Sequence, residues 1–218
     1  MCNKKYLILS IQRSILNLKN LGFLCFIPIL LMDILLPILL INSYKNNGVS
    51  ENFLVDIRQY CFMILPISSI GWSIFSMKDY VGEIGAEILY ISNNKVKIMD
   101  FALLLLYSFI NIFVIAAIVC SIMNTAIPIF IAVILISIFL FGISYFLLFY
   151  TKSLTMVIMA DLLYIISSLI LGGRYTIFPL YVITQITYSN LCYFYLPLGI
   201  IGVILCVFGI RKNKYSCI

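Results

Sequence analysis

The sequence contains no histidine, and only 10% of its 218 residues are charged. Without imidazole, the chain has no Ser-His or Cys-His catalytic pair, no histidine metal ligand and no histidine proton relay. The phosphate-binding patterns GxxxxGK[ST] and GxGxxG do not occur. Only about eighty residues lie outside apolar runs, too few for a nucleotide-binding domain. Any ATP-driven work therefore belongs to another chain.

Apolar residues are abundant, at 64% of the chain, and the mean hydropathy is +1.16. A soluble domain carries about 25% charged residues and is less than half apolar, so this composition predicts a chain embedded in a lipid bilayer. The net charge of +6 comes from short basic clusters beside apolar runs, which indicates membrane topology and not a nucleic-acid surface. The seven cysteines form no CxxC pair, so we interpret them as small apolar residues and predict no metal site.

Six apolar stretches reach the roughly 20 residues that a helix needs to cross the hydrocarbon core. They are Leu21–Tyr44, Ile57–Met77, Phe101–Met123, Ala126–Tyr150, Leu154–Gly172 and Leu191–Ile210. The first is too long for the apolar region of a signal peptide and lacks a small-residue cleavage site. The sequence therefore predicts an all-α integral membrane protein, with a connecting helix over residues 1–20 and a single six-helix transmembrane domain over residues 21–218.

The basic residues predict the orientation, because cytoplasmic segments retain Lys and Arg. With the N-terminus inside, the inner segments hold eleven basic residues and the outer segments hold three. The inner set is Lys4, Lys5, Arg13, Lys19, Lys78, Lys95, Lys97, Lys152, Arg211, Lys212 and Lys214, and the outer set is Lys45, Arg58 and Arg174. Both termini are therefore predicted to be cytoplasmic.

Residues 1–20 predict an amphipathic helix in the inner membrane interface. Its apolar residues fall on one arc about 100° wide, and its basic residues are available to anionic headgroups. The apolar set is Leu7, Ile8, Ile11, Ile15 and Leu18, and the basic set is Lys4, Lys5, Arg13 and Lys19. Such a helix either anchors the chain or links a cytoplasmic partner to the first span, and the sequence leaves both interpretations open.

The inner loop Lys78–Asp100 predicts a second helix that does not cross the membrane. Apolar side chains recur there at helical spacing, and Glu83 and Glu87 lie four residues apart on an acidic edge. Ser92, Asn93 and Asn94 then break the helix before the third span. A short helix with one apolar face and one acidic edge suits docking into a groove of another protein.

The stretch Glu83–Ala102, which reads EIGAEILYISNNKVKIMDFA, resembles the loop between the second and third helices of ABC-2 type exporter permeases. In that family a glutamate-led segment ends in a Leu-Leu-x-x-Pro-like turn, which a basic residue and the third helix follow. The order of connecting helix, spans, coupling helix and an embedded outer element before the last span is also similar. The chain departs from the pattern where Asn93 and Asn94 replace the usual Pro and Lys95 stands near the expected Arg.

The resemblance implies the permease subunit of an ATP-driven exporter in a bacterial cytoplasmic membrane. Two six-helix permeases, identical or different, would each bind a cytoplasmic ATPase that holds ATP and Mg, so this chain is expected to be a transport subunit without cofactors and not an enzyme. The cargo would be an amphiphile such as a peptide or bacteriocin, a drug or a lipid. The residues expected to couple to the ATPase are Glu83, Ile84, Glu87, Ile88, Ile91 and Lys95, with the connecting helix as a second contact.

The alternative is the membrane-embedded substrate-binding component of an energy-coupling-factor importer, which is also six-helical and of similar length. That design does not need a long acidic loop between the second and third spans. An enzyme acting within the bilayer is disfavoured because His is absent and the GxGD pattern of intramembrane aspartyl proteases is missing.

Two aspartates fall inside predicted spans and are candidates for the substrate path or the dimer seam. Asp33 lies about 18 Å along the first span and Asp161 about 10 Å along the fifth. A carboxylate at such depth costs about 2.5–3.5 kcal/mol, so each is expected to face protein or water, or to be protonated. For Asp33 a structural hydrogen bond is an equally open interpretation, and for Asp161 a structural role is favoured.

Two stretches near the C-terminus predict local structure. Gly173–Asn190 is rich in Tyr and Thr, so we expect a partly embedded turn or short re-entrant helices at the outer interface. In the last span, small residues along one side predict close approach of a neighbouring helix. These small residues are Gly199, Gly202, Cys206 and Gly209.

Overall fold

The structure is a computed structural model that describes residues 8, 11–12, 26–76, 94–171 and 186–215. The described residues form helices and short turns, and no strand occurs among them. The long helices are α1 (Phe26–Asn47), α2 (Glu51–Ser76), α3 (Asn94–Ile122), α4 (Ile127–Thr151), α5 (Leu154–Leu171) and α6, which runs through Tyr188–Asn190, Leu191–Tyr195 and Leu196–Tyr215 without a break.

Five of these helices are long and apolar enough to cross a membrane, which supports the prediction of an all-helical, multi-pass membrane protein. They are α1, α2, α3, α4 and α6. The predicted fifth span corresponds to α5, which contributes the shorter apolar stretch Leu154–Ser168. The described residues therefore support five spans and leave the sixth as a prediction.

Proline shapes three of the helices. Pro37 has no backbone N–H and its ring crowds the carbonyl of the residue four positions earlier, and α1 widens into a π-helical turn at Leu30–Leu35 just before it. The π-helical turn at Leu191–Tyr195 of α6 likewise precedes Pro197. In α2 the helix continues through Pro66, whose carbonyl accepts a hydrogen bond from Ser69 Oγ at 2.8 Å.

Two tight turns join adjacent helices at opposite ends of the bundle. Between α1 and α2, Gly48 has φ +59° and its N–H donates to the carbonyl of Tyr44 at 2.8 Å. Between α4 and α5, Lys152 adopts the left-handed conformation with φ 52°, and its N–H donates to the carbonyl of Leu148 at 3.0 Å. We name the two ends of the bundle after these residues: α2, α4 and α6 begin at the Gly48 end, and α3 and α5 begin at the Lys152 end.

Helix α4 forms the centre of the bundle and packs against α2, α3, α5 and α6. It is apolar on all sides, as expected for a helix that neighbours surround. Its side chains of Val133, Ile136 and Leu140 are completely buried.

The closest helix contact is the crossing of α4 and α6, where Gly142 and Gly202 bring the two backbones together. A Cβ on Gly142 would overlap the carbonyl oxygen of Gly202, and a Cβ on Gly202 would lie 2.5 Å from Cα of Phe139. At Gly199 and Gly209 the nearest groups are the side chains of Leu135 and Tyr145. The predicted close approach is therefore seen at the three glycines of the last span, and Gly202 meets Gly142 of α4.

Candidate functional site

Most of the predicted coupling residues lie outside the described residues. These are Glu83, Ile84, Glu87, Ile88 and Ile91. Lys95 is the second residue of α3 and lies at the Lys152 end of the bundle. The predicted coupling helix therefore stays a prediction, located between the end of α2 and the beginning of α3.

The predicted interfacial helix also falls largely outside the described part of the chain, as do its basic residues Lys4, Lys5, Arg13 and Lys19. Its described residues, Ile8 and Ile11–Gln12, are helical. Of the predicted re-entrant stretch near the outer interface, the structure describes only the part from Ile186 onward.

Asp161 lies inside the protein between α5 and α4. Its side chain is 5% exposed, and Ser144 Oγ of α4 donates to Asp161 Oδ2 at 2.8 Å. The same Ser144 hydroxyl lies 2.8 Å from the carbonyl of Leu140, so one hydroxyl proton serves two acceptors. Asp161 Oδ1 has no hydrogen-bond partner among the described residues. This geometry makes Asp161 a polar contact between two helices.

Asp33 has the opposite surroundings, because it is exposed on the outer surface of α1. It lies in the π-helical turn before Pro37, about 20 Å along the helix from Asn47. The exposed apolar side chains of Leu30, Ile34 and Ile38 surround it along the same helix. The two candidate aspartates thus do not form one site. Asp161 is enclosed by protein, whereas Asp33 is exposed on the surface of α1.

A polar cluster that we did not predict joins α1 and α2 at the Gly48 end. Asp56 Oδ2 accepts hydrogen bonds from Ser43 Oγ and, at 2.9 Å, from Asn47 Nδ2. Ser43 and Asn47 are four residues apart and therefore share one face of α1. This spacing was visible in the sequence, but its partner on the next helix was not. The cluster, defined here as Ser43, Asn47 and Asp56, ties the two helices together where the chain turns.

A cavity of about 650 Å³ lies at the Gly48 end among the beginnings of α2, α4 and α6. Its lining combines apolar walls with polar and charged side chains. The lining residues are Glu51, Asn52, Leu54, Val55, Arg58, Met123, Asn124, Thr125, Pro128, Ile129, Ile186, Thr187 and Tyr188. Ligand pockets are commonly about 300–1,000 Å³ with this kind of mixed lining, so the cavity is a candidate binding site.

The charged residues of the cavity come from one face of α2. Glu51 is exposed at the start of the helix, and Arg58 lies two turns further along, about 10 Å deeper, where it is half-buried. Arg58 interacts electrostatically with Tyr195 of α6. The predicted second span began at Ile57, so Arg58 was expected at its edge, whereas α2 begins at Glu51. Arg58 is therefore a residue of the helix interior and a potential anion ligand.

The described residues contain no group of three His, Cys, Asp or Glu side chains that could hold a metal ion. Comparison with known proteins gives no match to any family model, curated protein or solved structure.

Proposed function

We propose that this chain is the permease subunit of an ATP-driven ABC exporter, which moves an amphiphilic substrate across a bacterial cytoplasmic membrane. The observation that carries the proposal is the stretch Glu83–Ala102, which resembles the ATPase-coupling loop of ABC-2 permeases. Its position supports the proposal, since it begins after α2 and runs into α3, two helices of membrane-spanning length. A separate ATPase and a second permease chain would complete the transporter.

The distribution of basic residues supports an orientation with the Lys152 end in the cytoplasm. Lys95 and Lys97 start α3, Lys152 forms the turn before α5, and Arg211 begins the basic run that ends α6. Cytoplasmic segments are enriched in such residues. In this orientation the coupling loop faces the cytoplasm, where an ATPase would bind, and the cavity faces the outer side.

In the mechanism that we propose, the ATPase binds one conformation of the permease more tightly once the ATPase has closed on ATP. This difference is required because a bound partner shifts a conformational equilibrium only by its difference in affinity for the two conformations. The coupling residues Glu83 to Ile91 would form the contact. Helix α3 follows directly and has 29 residues, about 43 Å at 1.5 Å per residue. Movement of the loop would therefore be transmitted along one continuous helix to the Gly48 end.

Reversal of the two loop charges tests this function. The double variant Glu83→Lys, Glu87→Lys should reduce substrate-stimulated ATP hydrolysis and transport at least tenfold, because like charges would then face the basic side of the docking groove that an acidic edge predicts. Membrane insertion should be unchanged, since the loop lies outside the spans. Transport is measured in inverted membrane vesicles from cells that produce this chain together with a candidate P-loop ATPase partner.

The control for this experiment is Lys45→Glu at the Gly48 end, which also reverses a charge but lies on the side away from the proposed ATPase. It should leave coupling intact. Normal transport by the Glu83, Glu87 double variant would contradict the proposal.

The cavity favours a second candidate function, the substrate-binding component of an energy-coupling-factor importer. In the proposed orientation the cavity opens at the outer side, where an importer receives its solute. The two functions differ in the direction of transport. ATP-dependent accumulation inside inverted vesicles supports the exporter, and accumulation inside right-side-out vesicles supports the importer.

A further inference from the structure

The apolar part of the cavity comes from two helices and from the segment before α6. Its lining includes Leu54 and Val55 of α2, Pro128 and Ile129 of α4, and Ile186. Ile129 is 3% exposed and Val55 is 45% exposed, so this apolar lining runs from the packed interior to the surface. An apolar portion of a ligand placed here would be removed from water on several sides, which is the main source of affinity in such pockets.

The polar part of the cavity comes from α2 and from the rim. Glu51, Leu54, Val55 and Arg58 recur at helical spacing, so the charged and apolar residues of α2 share one face. Thr125 and Thr187 add hydroxyls at the rim. The cavity therefore offers a cationic group at depth, an apolar wall beside it and an acidic, hydroxyl-bearing mouth.

Arg58 determines the charge of the group that this cavity can hold. Ionisable residues within membrane spans are costly and mark binding or transport pathways. A guanidinium carries five donors in a planar fork that matches carboxylate and phosphate oxygens, so it can serve several acceptors at once, Tyr195 among its neighbours. Arg58 already interacts with other groups of the protein, and an anionic group of a ligand would add to these contacts.

We propose that this cavity binds an amphiphile with one carboxylate or phosphate group, whose anionic group pairs with Arg58 and whose apolar portion lies against Leu54, Val55 and Ile129. The exposed carboxylate of Glu51 lies at the mouth, so an anionic group is favoured beside Arg58 over a position at the rim. The inference goes beyond the proposed transport function, because binding requires neither an ATPase nor a second permease.

The test measures binding of single-chain probes to the purified full chain in phosphatidylcholine nanodiscs, with bound molecules counted by native mass spectrometry. The probes are laurate, dodecyl phosphate, uncharged dodecyl maltoside and inorganic phosphate. Laurate and dodecyl phosphate should each bind at one site and compete with each other. Dodecyl maltoside and inorganic phosphate should bind at least tenfold more weakly, because each lacks one of the two recognised features.

Variants of the charged residue locate the site. Arg58→Gln should weaken laurate and dodecyl phosphate at least tenfold, which corresponds to the loss of a charge-assisted hydrogen bond. Arg58→Lys keeps the charge but loses the planar fork, so it should bind more tightly than Arg58→Gln and less tightly than the original. Rescue by lysine distinguishes a binding role from a general loss of folding.

A second pair of variants tests the cavity without changing its charge. Thr125→Trp places a large side chain in the mouth and should reduce binding at least tenfold, whereas Ile127→Trp, two residues away and outside the lining, should not. Equal binding of charged and uncharged probes, equal binding of inorganic phosphate and dodecyl phosphate, or unchanged binding in Arg58→Gln or Thr125→Trp would overturn the proposal.

Discussion

Several buried serine side chains in the described helices donate their hydrogen bonds within their own helix. The hydroxyls of Ser68, Ser137 and Ser168 each donate to the carbonyl four residues earlier at 2.7–2.8 Å. This arrangement places a buried hydroxyl without requiring a partner on another helix. Ser144 makes the same bond within α4 and also donates to Asp161 of α5. It therefore takes part in a buried polar contact between two described helices.

The contact between Ser144 and Asp161 predicts a difference between two buried serines of α4. Ser144→Ala should lower the free energy of unfolding by about 1–3 kcal/mol, because it leaves a buried carboxyl without a donor. Ser137→Ala removes only a bond within the helix and should change stability by less than about 0.5 kcal/mol. Both are measured by SDS-induced unfolding in mixed micelles.

The double variant Ser144→Ala, Asp161→Leu provides the matched control, since apolar groups of similar size on both sides should recover most of the stability that Ser144→Ala loses. If Ser144→Ala and Ser137→Ala have equal effects, the assigned role of Asp161 as a contact between α4 and α5 is wrong.

Residue identity alone did not reveal which intramembrane aspartate would be enclosed. Asp33 and Asp161 both lie within apolar runs, but the depth along a helix does not specify the side of the helix that faces the bundle. The π-helical turn before Pro37 also changes the rotation of α1 around Asp33. Tertiary packing determines which side of a helix faces the bundle, so the sequence pattern did not show which of the two aspartates would be buried.

At the level of the helices, apolar runs located the elements but not their ends. Each predicted span overlaps a helix, because apolar length is what a bilayer demands. Helix α2 nevertheless begins at Glu51, six positions before the predicted start at Ile57. Asp56 lay just outside the predicted span, yet a helix can continue into the interface when polar side chains there have partners, as Asp56 does in the cluster with Ser43 and Asn47.

The crossing of α4 and α6 predicts opposite outcomes for the same substitution at different glycines. Gly202→Ala places a methyl group against backbone atoms of α4, so the helices must separate, and stability should fall by about 1–3 kcal/mol. Gly71→Ala meets only Pro28 Cγ at 4.0 Å, and its better helix propensity should make it neutral or stabilising by up to about 1 kcal/mol.

Both glycine variants are compared in the same SDS-unfolding assay. Gly142→Ala, on the facing helix, should behave like Gly202→Ala. A loss of stability in Gly71→Ala as large as that in Gly202→Ala would show that glycine is needed for some reason other than close approach of these two helices.

For the whole molecule, the sequence predicted the class of fold and the repeated crossing of the membrane, because both depend on composition and apolar length. It did not predict that α4 lies at the centre, since apolar residues face lipid and protein alike in a membrane helix. The sequence did not predict the cavity either, because its lining residues are distributed over α2, α4 and the start of α6. Only packing brings them to the Gly48 end.

The proposed transporter assigns different tasks to the two ends of the bundle. The Lys152 end carries the loop that would receive the ATPase, and the Gly48 end carries the cavity that would hold an anionic amphiphile. Helix α3 and the central helix α4 span the distance between them. This division of tasks makes the position of the ATPase the claim on which the functional account depends.

Site-specific photo-crosslinking in intact cells tests that claim most directly. A photo-reactive residue replaces Glu87 in the loop, or Tyr188 at the Gly48 end as the matched control, and the cross-linked products are identified by mass spectrometry. The account predicts a cross-link to a P-loop ATPase from position 87 and none from position 188. Absence of that cross-link at position 87, or the same ATPase captured from position 188, would contradict it.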